Sequence, residues 1–186
     1  MNLQTYTGQI LAELQTTLSQ ISGEQANQLV EAITTTPRIF VAGAGRSGLA
    51  MKGFAMRLMH LGFPVYVVGE TITPGISGGD LLLIGSGSGS TGSLGAMANR
   101  ARATGARIVL ISTRADSPIG QVADIVLTIP ASTPKAGSSP NPQSIQPMAS
   151  LFEQSLSLTL DALILMLMSE LKVDSEVMFS KHANLE

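Results

Sequence analysis

Apolar residues at Leu3, Ile10, Leu11, Leu14, Leu18 and Ile21 recur at helical spacing, and a second helical stretch runs over about 24–35. After Pro37 the rhythm changes. Short apolar runs at 39–42, 65–68, 81–84, 108–111 and 125–129 read as strands. They are nearly unbroken rather than alternating, which suits a parallel sheet covered on both faces. Helical segments fall between most of them, at 49–61, at 92–104 and briefly at 119–123. The link 69–79 is short for a helical crossover, and its eleven residues can return in extended form over ~36 Å. This alternation predicts a doubly wound α/β domain. Pro147 is read as opening a long apolar helix to about residue 172, since proline is favoured in a first helical turn. Before it, 131–146 is rich in Pro, Ser and Asn and reads as a loop of the functional or mobile kind. The chain 1–186 reads as a single domain, with N-terminal helices over about 3–35 and a C-terminal helix plus tail over about 147–186.

Composition narrows the function. The 186 residues are 44% hydrophobic and only 13% charged, so some surface is expected to be buried in an oligomer. Net charge is −2, without a basic run, which speaks against nucleic acid and against a polybasic membrane anchor. There is no cysteine and there are only two histidines, His60 and His182, so thiolate chemistry and a histidine-rich metal site are not expected. The most apolar stretch, 158–168, contains Asp161 and is too short to span a bilayer, which favours a buried interface helix. No targeting segment is visible, and a cytoplasmic location is the default expectation.

Two glycine-rich loops carry the candidate chemistry. Gly43-Ala44-Gly45-Arg46-Ser47-Gly48 follows the first strand and precedes a helix, where backbone N–H groups can approach an anion. It also satisfies a dinucleotide fingerprint, and Glu70 stands 22 residues after Gly48, where a ribose-binding acid would be placed. Taken alone, this loop suits a pyrophosphate or a sugar phosphate equally. Gly85-Ser86-Gly87-Ser88-Gly89-Ser90-Thr91 follows the third strand and opens another helix. Its three serines and threonine put hydroxyl donors beside backbone N–H groups, a cradle for a compact phosphate. Both loops leave carboxyl ends of strands, where a doubly wound sheet binds ligands. Two such loops at one crevice favour a single phosphorylated metabolite.

Ser86-x-Ser88-Gly89-x-Thr91 resembles the phosphate motif of the SIS (sugar isomerase) family, and the loop Gly43 to Gly48 resembles that family's first loop. Within the family, the run from Gln146 to Gln154 and the ending His182-Ala183-Asn184-Leu185-Glu186 resemble the 6-phospho-3-hexuloisomerases. The resemblance covers essentially the whole chain. It implies a five-stranded parallel sheet flanked by helices, in a flavodoxin-like three-layer sandwich. It implies conversion of D-arabino-hex-3-ulose 6-phosphate to D-fructose 6-phosphate in formaldehyde fixation or pentose supply. A homo-oligomer (tetramer or dimer), no cofactor, and a pathway link to a hexulose-6-phosphate synthase follow as further implications. The chain departs from the family at Ser90, where many members have Glu, and at Ala149, where the hexuloisomerases tend to have Gly.

Moving a carbonyl from C3 to C2 takes a proton from C2 and delivers one to C3 through an enediol. Under the resemblance, Glu153, near the start of a rigid helix, is the candidate base, and His182 is the candidate proton donor to the sugar oxygens. The substrate's C6 oxygen is phosphorylated, so its C3 ketone has no hydroxyl left for an unstrained ring, and His182 would act on the enediol oxygens. Gly45, Arg46, Ser47, Ser86, Ser88, Ser90 and Thr91 are the expected substrate and phosphate contacts, with Arg46 able to hold phosphate or enediolate charge. Lys181 and Glu70 are second-rank candidates, and His60 reads as structural. Two other classes stay open: a non-catalytic sugar-phosphate sensor, and a dinucleotide-dependent oxidoreductase resting on the first loop and Glu70.

Overall fold

In the computed structural model, residues 2–132 and 144–185 are described. Helices α1 (Leu3–Leu18) and α2 (Gly23–Thr34) precede β1 (Ile39–Gly43) and α3 (Gly45–Leu61). Next come β2 (Val65–Val67), β3 (Leu81–Gly85), α4 (Gly92–Ala103) and β4 (Arg107–Ser112). A single 3-10 turn (Gly120–Val122), β5 (Ile125–Thr128), α5 (Ser150–Leu171) and α6 (Ser175–Phe179) complete the order. The strands form one parallel sheet in the order β2-β1-β3-β4-β5. That is the doubly wound, flavodoxin-like arrangement expected from the sequence.

The unbroken apolar runs are explained by the two faces of the sheet. Ile39, Val41, Leu81, Leu83, Val109 and Ile111 pack against α1, α2, α3 and α5. Their neighbours Phe40, Ala42, Leu82, Ile84, Ile108 and Leu110 pack against α4 and the 3-10 turn. Successive side chains point to opposite faces, and here both faces are covered. The β2–β3 link contains no helix; instead of the extended return expected, it runs through turns at 68–72 and 78–79. It is pinned at its end by buried Asp80, which receives Arg38 Nε at 2.9 Å, Arg38 Nη2 at 2.6 Å and Ser77 N–H at 2.7 Å.

Several boundaries differ from expectation. Helix α3 begins at Gly45, inside the first glycine loop, because Gly45 takes the left-handed turn (φ +57°) that lets the helix start at once. Pro147 does not open α5. Met148 takes φ +57° and α5 starts at Ser150, which puts Glu153 in its first turn rather than its second. Helix α5 has 22 residues and is long and apolar enough by composition to cross a membrane, yet half of its most apolar window is buried within the fold. It is the core helix over one face of the sheet. The short helix α6 in the tail has no apolar period long enough to announce it. Of the loop read at 131–146, residues 133–143 lie outside the described residues. Its end is fixed: Glu13 of α1 accepts bonds from Ser144 Oγ, Ile145 N–H and Gln146 Nε2 at 2.7–2.9 Å.

Candidate active site

The two glycine-rich loops leave neighbouring strands, β1 and β3, whose last residues Gly43 and Gly85 are paired. From β1 the chain runs outward to β2; from β3 it runs the other way to β4. The loops therefore diverge at the switch point of the sheet, and a cavity of about 240 Å³ opens there. Its walls are the two loops and the first turn of α5.

In the first loop, Gly43 and Gly48 are packing residues. A Cβ on Gly48 would stand 2.7 Å from the Gly43 carbonyl oxygen, so the pair lets α3 descend onto β1. Ser47, buried, lines the cavity. In the second loop Ser86, Ser88 and Thr91 line it, and Ser86 is almost fully buried. Ser90 is exposed and turns back: its N–H and hydroxyl donate to Ser88 Oγ at 3.3 and 3.0 Å. The third wall brings Glu153, with 18% of its side chain exposed, and Phe152. Phe152 lies over Gly87, where an added Cβ would meet its ring at 3.0 Å. Arg46 reaches from α3 to α5, placing Nε 3.2 Å from Glu153 Oε2 and donating from Nη1 to Ser150 Oγ at 3.2 Å.

Helix ends give the cavity a positive electrostatic character. Asn2, Ser22 and Asp174 cap α1, α2 and α6 with side-chain acceptors. Helices α3, α4 and α5 have no side-chain cap bond, and their N-cap residues are Ala44, Thr91 and Ala149. All three line this one cavity. The first-turn N–H groups of a helix have no partner within it, and each helix carries partial positive charge at this end. Three such ends beside four hydroxyls suit a phosphate dianion bound by neutral donors.

Other expected residues lie elsewhere. His182 is not brought to this cavity. It stacks on His60 and Phe179 with ring centroids 5.6 and 5.7 Å away, at the far end of α3. Arg46 and His60 stand fourteen residues apart on α3, about 21 Å at the helical rise. A second cavity of about 290 Å³ sits there, lined by Arg57, His60, Met168, Phe179 and His182 among others. His60, read as structural, is buried there. Burial, Arg57 and His182 together hold its pKa below the usual histidine value. Lys181 lies over Gly62, at the carboxyl end of α3. Glu70, offered as a ribose acid, does not line this cavity and is bonded to Lys52 Nζ at 2.7 Å. Among the described residues no three His, Asp or Glu side chains gather as a metal site. Sequence reasoning missed Phe152, Leu94 and Met148 as cavity walls, since only the fold brings them there.

The fold and this crevice suit an α/β protein that handles sugar phosphates, and the chain belongs to the SIS domain family, whose model matches residues 32–165. It is 48% identical to the 3-hexulose-6-phosphate isomerase of Bacillus subtilis (strain 168) over 186 residues, the full length of both chains. It is 44% identical to the 3-hexulose-6-phosphate isomerase of Mycobacterium gastri, over 94% of this chain and 86% of that one. A Methanococcus jannaschii protein, whose crystal structure led to an inferred function of 3-hexulose-6-phosphate isomerase, has a TM-score of 0.81 at 32% identity. The match covers 97% of this chain and 96% of that one.

Proposed function

We propose that this protein is a 3-hexulose-6-phosphate isomerase, converting D-arabino-hex-3-ulose 6-phosphate to D-fructose 6-phosphate. The observation that carries this reading is the placement of Glu153 in the same cavity as three side-chain-uncapped helix ends and the serine loop. An anchor for the phosphate and a base for the carbon chain share one crevice, in a chain whose relatives over full length bear that name.

In this reading Ser47, Ser86, Ser88 and Thr91, with the backbone turned by Gly45, hold the phosphate, and Ser90 orients Ser88. The Glu153 carboxylate takes the proton from C2 and returns it to C3, serving two adjacent carbons from one fixed position. Arg46 sits against the carboxylate and faces the charge that develops on the enediolate. His182 protonates the sugar oxygens of a neighbouring copy's site, since in its own subunit it stacks on His60, which stands about 21 Å along α3 from Arg46. Exposed Leu49 and Met56 on α3, and Leu158 and Leu165 on α5, each repeat at seven-residue spacing and form apolar stripes that a homotetramer or homodimer would cover. The role is cytoplasmic, in formaldehyde fixation, after a hexulose-6-phosphate synthase, and the chemistry needs no cofactor. The test is direct: fructose 6-phosphate formation from hex-3-ulose 6-phosphate, followed in a coupled assay. Tight sugar-phosphate binding without turnover would instead identify a sensor.

A further inference from the structure

Resting on the phosphate reading of the first cavity, we infer that Thr113, seconded by Ser112, is a positioning residue that locks the Gly87–Ser88 peptide with its N–H toward the phosphate. Neither residue lines the cavity. Ser112 ends β4 and is fully buried; Thr113 follows it. Both are aimed at one atom. The Gly87 carbonyl oxygen accepts Thr113 Oγ1 at 2.7 Å, Thr113 N–H at 3.1 Å and Ser112 Oγ at 3.1 Å. Thr113 Oγ1 makes the shortest of the three bonds, and the two longer ones share what remains of the carbonyl's two lone pairs.

The consequence falls on the other side of the same peptide. The described residues contain no cis peptide bond, and in a trans peptide the N–H points opposite to the carbonyl. With Gly87 C=O held toward β4, the Ser88 N–H faces away from β4, on the side where Ser88 lines the cavity. No described residue accepts that N–H. The rest of the loop follows the same plan. Gly89 C=O accepts Ile119 N–H at 3.0 Å, again from beyond β4. Ser88 Oγ accepts two bonds from Ser90, which leaves its own hydrogen to give. The acceptors are filled from behind, and hydrogens remain at the front.

A lock is needed because position 87 is glycine. Phe152 leaves no room for a side chain there, and glycine permits peptide rotations that other residues resist. A flipped Gly87–Ser88 peptide would present a carbonyl oxygen to the phosphate and replace attraction by repulsion. Threonine suits the task, since its branched Cβ limits χ1 and holds Oγ1 in place.

The experiment compares Thr113→Val, Thr113→Ser and Ser86→Ala. It measures KM and kcat for the 3-ulose phosphate, and Kd for inorganic phosphate and fructose 6-phosphate by calorimetry. Thr113→Val should raise KM and both Kd values about tenfold, the loss of one hydrogen bond to a charged group. Its kcat should stay within about twofold, and Thr113→Ser should restore affinity. A folded Val variant with wild-type KM and Kd overturns the inference, as does a Ser variant as weak as the Val one. If Ser86→Ala weakens phosphate and Thr113→Val does not, the lock alone is wrong; if neither does, the phosphate cradle itself is wrong. Should the Val variant fail to fold, the wild-type Ser88 amide resonance decides. A downfield shift that saturates with inorganic phosphate supports the lock, and an unmoved resonance refutes it.

Discussion

Replacing Glu153 with Gln separates chemistry from architecture at this site. Gln keeps the size of the side chain and retains a carbonyl oxygen that Arg46 can still reach at 3.2 Å. The ion pair it removes involves an Arg with 60% of its side chain exposed, so stability should change by no more than about 1 kcal/mol. The hydroxyls proposed to hold the phosphate lie on α3, at the start of α4 and in the serine loop, and are untouched. What is lost is the only carboxylate in the cavity wall among the described residues. General base catalysis is worth roughly 10²- to 10⁴-fold, so kcat should fall at least ~10²-fold, about 2.7 kcal/mol of barrier. Fructose 6-phosphate affinity should stay within about threefold. The assay is the coupled formation of fructose 6-phosphate, paired with deuterium uptake from D₂O into recovered sugar phosphate, which reads proton transfer directly. A Gln variant that turns over within about threefold of wild type, or exchanges deuterium at the wild-type rate, refutes the assignment.

Ser86→Ala and Ser88→Ala should each weaken fructose 6-phosphate binding by about 1.5–3 kcal/mol, measured by calorimetry, with unphosphorylated fructose binding poorly throughout. Asp80→Asn, remote from the cavity, should cost about 3 kcal/mol of stability and leave kcat unchanged. The figure is the lower end for a broken buried pair, because Arg38 is 31% exposed. Burial opposes the Asp80 charge, but Arg38 and Ser77 outweigh it and hold its pKa below the usual value. This stability is therefore complete above the unfolded value of about 3.9 and fades as pH falls through the folded one, an acid limb that denaturant melts of the Asn variant should lack. Removing residues 181–186 should abolish turnover and spare phosphate binding. Mixing that variant with Ser86→Ala/Ser88→Ala should restore activity if subunits exchange, as native mass spectrometry can verify, and exchange without recovery would show that His182 serves its own subunit.

The sequence disclosed most where one physical cause dominates. Runs such as Leu81 to Ile84 are apolar at every position because both faces of the sheet are covered, so the strands announce themselves without alternation. The serine loop stood out for a similar reason: its hydroxyls sit between a buried strand and a helix, and the fold brings Ser86, Ser88 and Thr91 to one cavity. What stayed hidden depends on the folded backbone. Thr91 was read for its hydroxyl and Ala44 and Ala149 offer no polar side chain; what the fold adds is that three helices, unlike α1, α2 and α6, begin without a side-chain cap and begin at one place. Thr113 is hidden for the same reason. Its bond to Gly87 spans twenty-six positions of sequence and exists only because β3 and β4 are neighbours. His182 shows the converse. It was expected at the sugar oxygens, and the fold instead stacks it on His60, at the opposite end of α3 from Arg46. If His182 works in catalysis, the catalytic unit is larger than one chain, and the apolar stripes on α3 and α5 are part of the same mechanism as Glu153.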